Sequence, residues 1–377
     1  MKKIVFLTGT RADFGKLKTL ISRVEASKEF SCTVFVTGMH MLKKYGLSAL
    51  EIEKQKYSDI YSFINQREGD SMDHIAANTV HGIGSYLHEN PCDLLVIHGD
   101  RVEALAGALV GALTNIRIAH IEGGELSGTV DELIRHAVTK MAHSHFVANE
   151  EAQQRLIQMG EDERSVFVIG SPEVDIMLSD SLPSLEEAKE RYDIMFDNYA
   201  LSIFHPVTTE RHHMEQIASD YFDALEQSKR NYLIIYPNND VGNEAIFRAI
   251  EKHRDNPRFL IYPSTRFEYF LTLLNHCQFI IGNSSVGVRE APIYGVPTIN
   301  VGTRQNKRNS ISTITSVDYD TDDILKAIRS IPEKFRHKPD FTFGLGDSHH
   351  RFMKVIEGAD FWSLPLQKSF IDRPLSP

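Results

Sequence analysis

Short apolar runs alternating with longer amphipathic stretches restrict this chain more than any other feature. "KIVFLTG" (3–9) reads as a buried strand, and Leu17, Leu20, Ile21 and Val24 then recur at helical spacing. "CTVFVTG" (32–38), "DLLVIHGD" (93–100), "IRIAHIE" (116–122), "SHFVANE" (144–150) and "SVFVIGSPE" (165–173) repeat the strand pattern, with "EALAGALVGAL" (103–113) as a helix among them. Strands alternating with helices predict parallel βαβ units and a doubly wound sheet. The polar, proline-punctuated stretch "SDSLPSLEEAKERYDIMFDNYA" (179–200) interrupts the pattern. It then restarts with "LSIFHP" (201–206), "YLIIYPNND" (232–240), "RFLIYPS" (258–264), "QFIIGNSS" (278–285) and "VPTINVG" (296–302). A chain of 377 residues exceeds one ordinary core. The expected organisation is two similar α/β domains, residues 1–180 and 181–357, with the tail 358–377 packing back on the first.

Composition removes several classes of function. A formal charge of −10 argues against a nucleic-acid partner, which would select a basic face. No run approaches the roughly 18 apolar residues of a membrane helix. The apolar run in "MKKIVFLTGTR" is too short for a secretory leader, so a cytoplasmic protein is expected. Cys32, Cys92 and Cys277 are widely spaced and read as reduced structural thiols.

In open α/β sheets ligands bind beyond the carboxyl ends of the strands, and the polar stretches fall there. "TGTRADFGK" (8–16) joins the first strand to its helix; Gly9 permits close approach and Arg11 can reach a phosphate. It lacks the GxGxxG spacing, which disfavours a dinucleotide cofactor, and an ordinary strand-to-helix turn explains it equally well. In "IGNSSVGVREAP" (281–292), Ser284 and Ser285 stand where a helix begins and Glu290 lies within that helix. Hydroxyls and main-chain N–H groups there suit a diphosphate, and the carboxylate suits a ribose diol; simple N-caps are the alternative. "HGDRVEALA" (98–106) puts Asp100 at a strand end, and "HIEGGELSGTVDE" (120–132) puts Glu122 at another, with a glycine-rich loop leading to Asp131. N-capping accounts for Asp131 alone, but less well for all three acids. Three converging carboxylates repel one another, which raises the pKa of at least one and suits proton transfer.

The stretches "HGDRVEALA", "HIEGGELSGTVDELIRHAVTK", "HPVTTE", "IGNSSVGVREAP" and "INVGTRQNKR" resemble those of the hydrolysing UDP-N-acetylglucosamine 2-epimerases, which begin sialic acid biosynthesis. The resemblance runs from "TGTRADFGK" to the tail "LPLQKSFI", with the motifs in the same order. It implies a GT-B architecture of two Rossmann-like domains around a cleft, no cofactor and no metal, UDP-GlcNAc and UDP as ligands, and a homodimer or tetramer. It places the sugar-site carboxylates at Asp100, Glu122 and Asp131, with His40 near the sugar. The uridine and diphosphate contacts fall at Arg11, His205, Asn238, Ser284, Ser285, Glu290 and Arg304. The turn "GLGDSHH" (344–350) departs from the family's "GDGN"-like turn, which leaves a phosphate contact near Gly346 and Asp347 open.

In this family UDP leaves C1 while a base takes the C2 proton, giving 2-acetamidoglucal, which water then converts to the C2 epimer. The non-hydrolysing relatives read "HGDT" and "HVEAGLRTGD". Here Arg101 follows Asp100, "GGE" replaces "AG", and the third acid is Asp131, all of which favour the hydrolysing branch. Two other functions stay open: the same reaction on a 2,4-diacetamido-trideoxy sugar, and a GT-B glycosyltransferase or nucleotide-sugar sensor. His212–His213 and His349–His350 read as solvated or capping residues, Phe361 and Trp362 as anchors for the tail, and "KKYGLSALEIEKQK" (43–56) as an amphipathic helix.

Overall fold

The computed structural model describes residues 1–126, 130–238, 242–305 and 312–372. Gly128 of the glycine-rich loop, residues 239–240 of "YPNND", residues 306–308 of "INVGTRQNKR" and the last five residues of the tail lie outside the described residues. The chain divides into two compact units, one of Met1–Ser179 with Thr342–Pro377 and one of Asp180–Phe341.

The first unit holds a seven-stranded sheet in the order β3-β2-β1-β4-β5-β6-β7, every neighbouring pair parallel. Its strands are β1 (Lys2–Thr8), β2 (Phe30–Val36), β3 (Ile60–Ser62), β4 (Leu94–His98), β5 (Arg117–Ile121), β6 (Ser144–Val147) and β7 (Val166–Val168). Side chains alternate across the sheet into two cores. Ile4, Phe6, Val34, Val36 and Phe146 enter one core, while Val5, Leu7, Phe35, Leu95 and Ile97 enter the other. The sequence pattern does not reveal β3, a three-residue edge strand too short to show a period.

The second unit carries a six-stranded parallel sheet, β10-β9-β8-β11-β12-β13. Its strands are β8 (Ala200–Ile203), β9 (Tyr232–Ile235), β10 (Phe259–Tyr262), β11 (Ile280–Gly282), β12 (Thr298–Val301) and β13 (Ile314–Val317). Here again an edge strand, β13, escapes the pattern; "ITSV" is half polar and only partly buried.

The return to the first unit begins at Thr342 rather than at residue 358. The helix Ser348–Glu357 already belongs there, because Phe352, Ile356 and Phe361 insert into the β1–β2 core. Asp175 anchors its start, accepting from Ser348 N (2.9 Å), Ser348 Oγ (2.7 Å) and His349 N (3.0 Å). His349 Nδ1 also lies 2.7 Å from Asp175, so this histidine is a fastening and not a solvated residue. Phe361 is buried, and the Trp362 indole donates to Ile356 O at 2.7 Å, as anchors should. Farther along, Lys368 donates to Thr139 O and Ala142 O at the end of the helix Val130–Met141 and pairs with Glu161. "KKYGLSALEIEKQK" is not one helix: a 3-10 turn (Lys43–Tyr45) ends at left-handed Gly46, and a five-residue helix (Ala49–Glu53) comes after it.

Candidate active site

In both sheets the strand order reverses once, between β1 and β4 and between β8 and β11. A crevice opens at such a reversal beyond the carboxyl ends of the strands. Most residues singled out from the sequence sit at these two places.

In the first unit Asp100 follows β4 and Glu122 follows β5. Glu122 has φ +63°, in the left-handed region that a side chain with a Cβ rarely adopts. Such a conformation costs on the order of 1–3 kcal/mol and persists only where the surroundings hold it. They do so here. Glu122 N donates to Phe146 O at 2.9 Å, and Arg135 Nη1 donates to Glu122 O at 2.6 Å. The side chain is buried and receives Ser171 Oγ on Oε1 (2.6 Å), with Lys16 Nζ (3.3 Å) and His98 Nε2 (3.1 Å) on Oε2. Lys16 also pairs with Glu173 at 2.9 Å, and Glu173 is wholly buried. Arg135, itself buried, reaches Asp100 with its other terminal nitrogen, so one guanidinium ties Asp100 to the backbone of Glu122.

Asp131 lies in the first turn of the helix Val130–Met141, one turn before Arg135, half-buried. Arg101, whose Nε lies 3.9 Å from Glu103, carries its charge near the same acids. Burial acts against the Arg101 charge, yet Glu103, Asp131, Asp13 and Asp100 together raise its pKa. The carboxylates therefore do not face one another alone: Arg101, Arg135 and Lys16 are interleaved with them. The repulsion inferred from sequence is offset by cations that the motifs alone do not place. Arg135 was findable, since it stands four residues after Asp131 on the same helical face. Lys16, Ser171 and Glu173 come from distant parts of the chain and carry no local signal.

Glu103 is a further buried acid, 2% exposed. Burial raises its pKa, against the pull of Arg101, whose Nε lies 3.9 Å away. A Cβ on Gly9 would come within 2.9 Å of the Glu103 side chain, and one on Gly38 within 2.7 Å of its Oε1. The close approach that Gly9 permits is made by Glu103. The turn after β1 is a capping box. The Asp13 carboxylate accepts from Gly9 N, Thr10 N and Phe14 N, while Asp13 N donates to Thr10 Oγ1. His40 is fully enclosed, with Nε2 3.0 Å from Thr8 Oγ1 and Nδ1 2.7 Å from Ser48 Oγ. Through Thr8 it ties the turn after β2 to the end of β1. Arg11 pairs with Glu51 at 3.2 Å. In the glycine-rich loop, Gly124 has φ +75° and lies directly against the Ala152 backbone, where no side chain would fit.

The second unit's site is built around Asn283, which follows β11. Its Oδ1 accepts from His205 N (2.7 Å), and its Nδ2 donates to His205 O (2.9 Å). Its own carbonyl accepts from Arg304 Nη1 (3.2 Å) and Gln305 Nε2 (2.7 Å). His205 Nδ1 accepts from Asn238 N at 3.0 Å, which leaves the proton of the neutral ring on Nε2. Burial, then Arg304, pull the His205 pKa down to about 3. Ser284 and Ser285 follow Asn283 and are half-buried. The helix they open has only four residues, Val286–Arg289, and Glu290 stands just beyond it rather than inside. So short a helix has little macrodipole, and an anion here would be held by discrete donors. Glu290 is 6% exposed.

Among the described residues one trio has metal-ligand chemistry: Asp223, Glu226 and His253, on the helical layer of the second unit. The two ring nitrogens face different carboxylates, Nε2 toward Asp223 (3.4 Å) and Nδ1 toward Glu226 (3.5 Å), and Lys252 also pairs with Asp223 (3.6 Å). One ligand atom from each residue lies within 4.8 Å of the others, and without an ion the imidazole stands between the two acids.

Two parallel α/β units with sites at their sheet reversals define a GT-B-like fold. The likeness extends to a crystal structure of Methanocaldococcus jannaschii UDP-GlcNAc 2-epimerase in complex with UDP-GlcNAc and UDP. The TM-score is 0.81 at 21% identity, over 94% of this chain and 99% of that one. The UDP-N-acetylglucosamine 2-epimerase family model matches residues 22–357. A UDP-N-acetylglucosamine 2-epimerase of Neisseria meningitidis is 49% identical over 375 residues, 99% of both chains. The UDP-N,N'-diacetylbacillosamine 2-epimerase (hydrolyzing) of Legionella pneumophila is 30% identical over 377 residues, again 99% of both. The chain belongs to the UDP-N-acetylglucosamine 2-epimerase family.

Proposed function

We propose that this chain is a hydrolysing UDP-N-acetylglucosamine 2-epimerase, converting UDP-GlcNAc and water to N-acetylmannosamine and UDP as the first step of sialic acid synthesis. The observation that carries the reading is Asp100 and Glu122 at the β4 and β5 ends, tied together by Arg135 and flanked by Lys16, with Asp131 one turn before Arg135 on its helix. Removal of the C2 proton and its return from the opposite face need two acid/base groups, and a third can direct water. The C1–O bond breaks as the C2 proton leaves, the C1–C2 double bond forms, and UDP departs. Water then places oxygen on C1 while a proton adds to C2. In the second unit Arg304, Ser284 and Ser285 take the diphosphate and Glu290 the ribose diol, with His205 and Asn238 completing the uridine side. The departing negative charge is met by fixed donors, which is where positive potential is worth most. Arg11 is assigned to the same anion.

The 49% identity to the Neisseria enzyme supports N-acetylglucosamine as the sugar. The hydrolysing Legionella relative keeps the 2,4-diacetamido sugar as the second reading. Incubation of purified protein with each UDP-sugar separately, with no acceptor present, tests both. Equal amounts of free N-acetylmannosamine and UDP from UDP-GlcNAc are expected. Turnover of the diacetamido sugar alone would transfer the assignment to the second reading, and UDP-N-acetylmannosamine as the product would contradict hydrolysis.

A further inference from the structure

The stretch "HPVTTE" contributed only His205 to the site above. Its last residue, Glu210, lies in the 3-10 turn Thr208–His213 after β8. Each oxygen of its carboxylate takes one hydroxyl: Oε2 accepts from Tyr319 Oη at 2.5 Å, and Oε1 from Thr303 Oγ1 at 2.6 Å. Hydroxyl donors on an ionised carboxylate make bonds this short and roughly twice as strong as neutral ones. Tyr319 comes after β13, and its ring lies edge-on to Phe204 with centroids 6.4 Å apart. Gly302, with φ +78°, lies flat on that ring, where any Cβ would collide with it. Tyr319 therefore fits under the segment Gly302–Arg304 as a wedge, and Glu210 pins both wedge and segment.

The pinned segment leads directly into two residues of the second site. Arg304 and Gln305 both donate to Asn283 O, and Asn283 in turn holds the His205 backbone on both sides. The turn after β8, the end of β11 and the end of β12 thus form a closed hydrogen-bonded circuit, and Glu210 closes it. Glu210 adds to the main-chain ties already on this segment, Gly302 N to Val317 O (2.8 Å) and Thr303 N to Tyr319 Oη (3.4 Å).

We propose that Glu210 is a positioning residue for Arg304: clamped between Thr303 and Tyr319, its carboxylate fixes the strand-end segment that presents the Arg304 guanidinium to a nucleoside diphosphate. The inference rests on the reading that Arg304 meets the diphosphate. Burial, reinforced by the bond to Glu210, pushes the Tyr319 hydroxyl up to about 12, so it stays a donor through the neutral range. The carboxylate accepts on both oxygens with its charge; a glutamine accepts on one and can only donate from its amide nitrogen to the other hydroxyl, so both arms lose their charge assistance and one must reverse.

The test compares UDP with uridine on the full chain, UDP by calorimetry and uridine by ligand-observed NMR. Losing one such bond without direct ligand contact should weaken UDP by about tenfold in Glu210→Gln and in Tyr319→Phe. Uridine affinity should change less than about twofold, because the nucleoside does not reach the diphosphate. The double variant should be little worse than either single one, since both open the same clamp. Arg304→Ala provides the reference, with a larger loss for UDP and again none for uridine. Arg304→Ala binding UDP like the unaltered protein would overturn the diphosphate reading and the inference with it. A loss in Arg304→Ala with UDP affinity unchanged in Glu210→Gln and Tyr319→Phe would overturn the positioning role alone. So would equal weakening of UDP and uridine, the mark of general loosening.

Discussion

The two sites occupy the same place in two similar sheets, yet they are built from opposite materials. At the β1/β4 reversal, buried carboxylates are interleaved with Arg101, Arg135 and Lys16, and Glu122 is held in a left-handed backbone conformation. At the β8/β11 reversal, a neutral amide, Asn283, organises backbone groups around Arg304, and no described residue there other than glycine has a positive φ. Moving protons requires groups whose charge changes during the reaction, and those must be fixed in place by countercharges. Holding a nucleotide requires donors and acceptors that stay as they are. The topology is shared, and the chemistry is decided by what the strand ends carry.

The comparison predicts its largest effects in the first unit. Asp100→Asn, Glu122→Gln and Asp131→Asn should each fold normally and lose rate by roughly 10²–10⁴-fold, the range for a general acid or base, with UDP affinity nearly unchanged. Steady-state kinetics beside UDP calorimetry would show it. A variant that instead loses UDP binding and keeps its rate would move that carboxylate to the nucleotide's side of the comparison. The variants should also separate the half-reactions: one lacking the C2 base forms no glucal but hydrates it when supplied, and one impaired in hydration releases glucal.

Effects in the second unit should be smaller and confined to affinity. Glu290→Ala should weaken UDP by the 1.5–3 kcal/mol typical of losing hydrogen bonds to a charged group, about 10- to 150-fold. Calorimetry showing full UDP affinity in that variant would remove the ribose from Glu290.

What the sequence shows of these sites depends on how local each cause is. The parallel α/β architecture follows from buried strands of four residues or more alternating with helices, and β3 and β13 escape because edge strands so short bury too little to leave a period. Asp100, Glu122 and Ser284 are visible because strand ends place them, whereas Arg304 comes only from the family resemblance. The φ of Glu122 is not visible, since it comes from Phe146 and Arg135, both distant in sequence. Nor is the buried position of Glu103, which needs Gly9 and Gly38 together. The enclosure of His40 likewise depends on Thr8 and Ser48.

The smallest expected difference between the units is in acid. Burial pulls His120 down to about 3 and His143 to about 4, and lowers His40 and His145 as well, all in the first unit; His205, at about 3, is in the second. These histidines take up a proton in the unfolded chain near pH 6.5 and in the folded one at lower pH. Between those limits the unfolded state binds more protons, so stability falls as pH falls. Glu161, held at about 2 by His145, Lys368 and Lys140 against its own burial, adds the same sign below pH 4.5 in the first unit. Hydrogen exchange corrected for intrinsic rates, stepped from pH 7 to 4, should show the β5 and β6 amides losing protection before those of β8 and β11. Earlier loss in the second unit would contradict the assignment of the acid-sensitive burden to the first.

The central claim is that carboxylates of the first unit exchange the C2 proton with solvent while UDP departs. Turnover of UDP-GlcNAc in deuterium oxide, with the product examined by NMR and mass spectrometry, tests it most directly. The account predicts one deuteron at C2 of every N-acetylmannosamine molecule and none at C2 of unreacted substrate. A product with no deuterium at C2 would mean that hydrogen never leaves the enzyme–substrate complex, and Asp100, Glu122 and Asp131 would lose the role assigned to them.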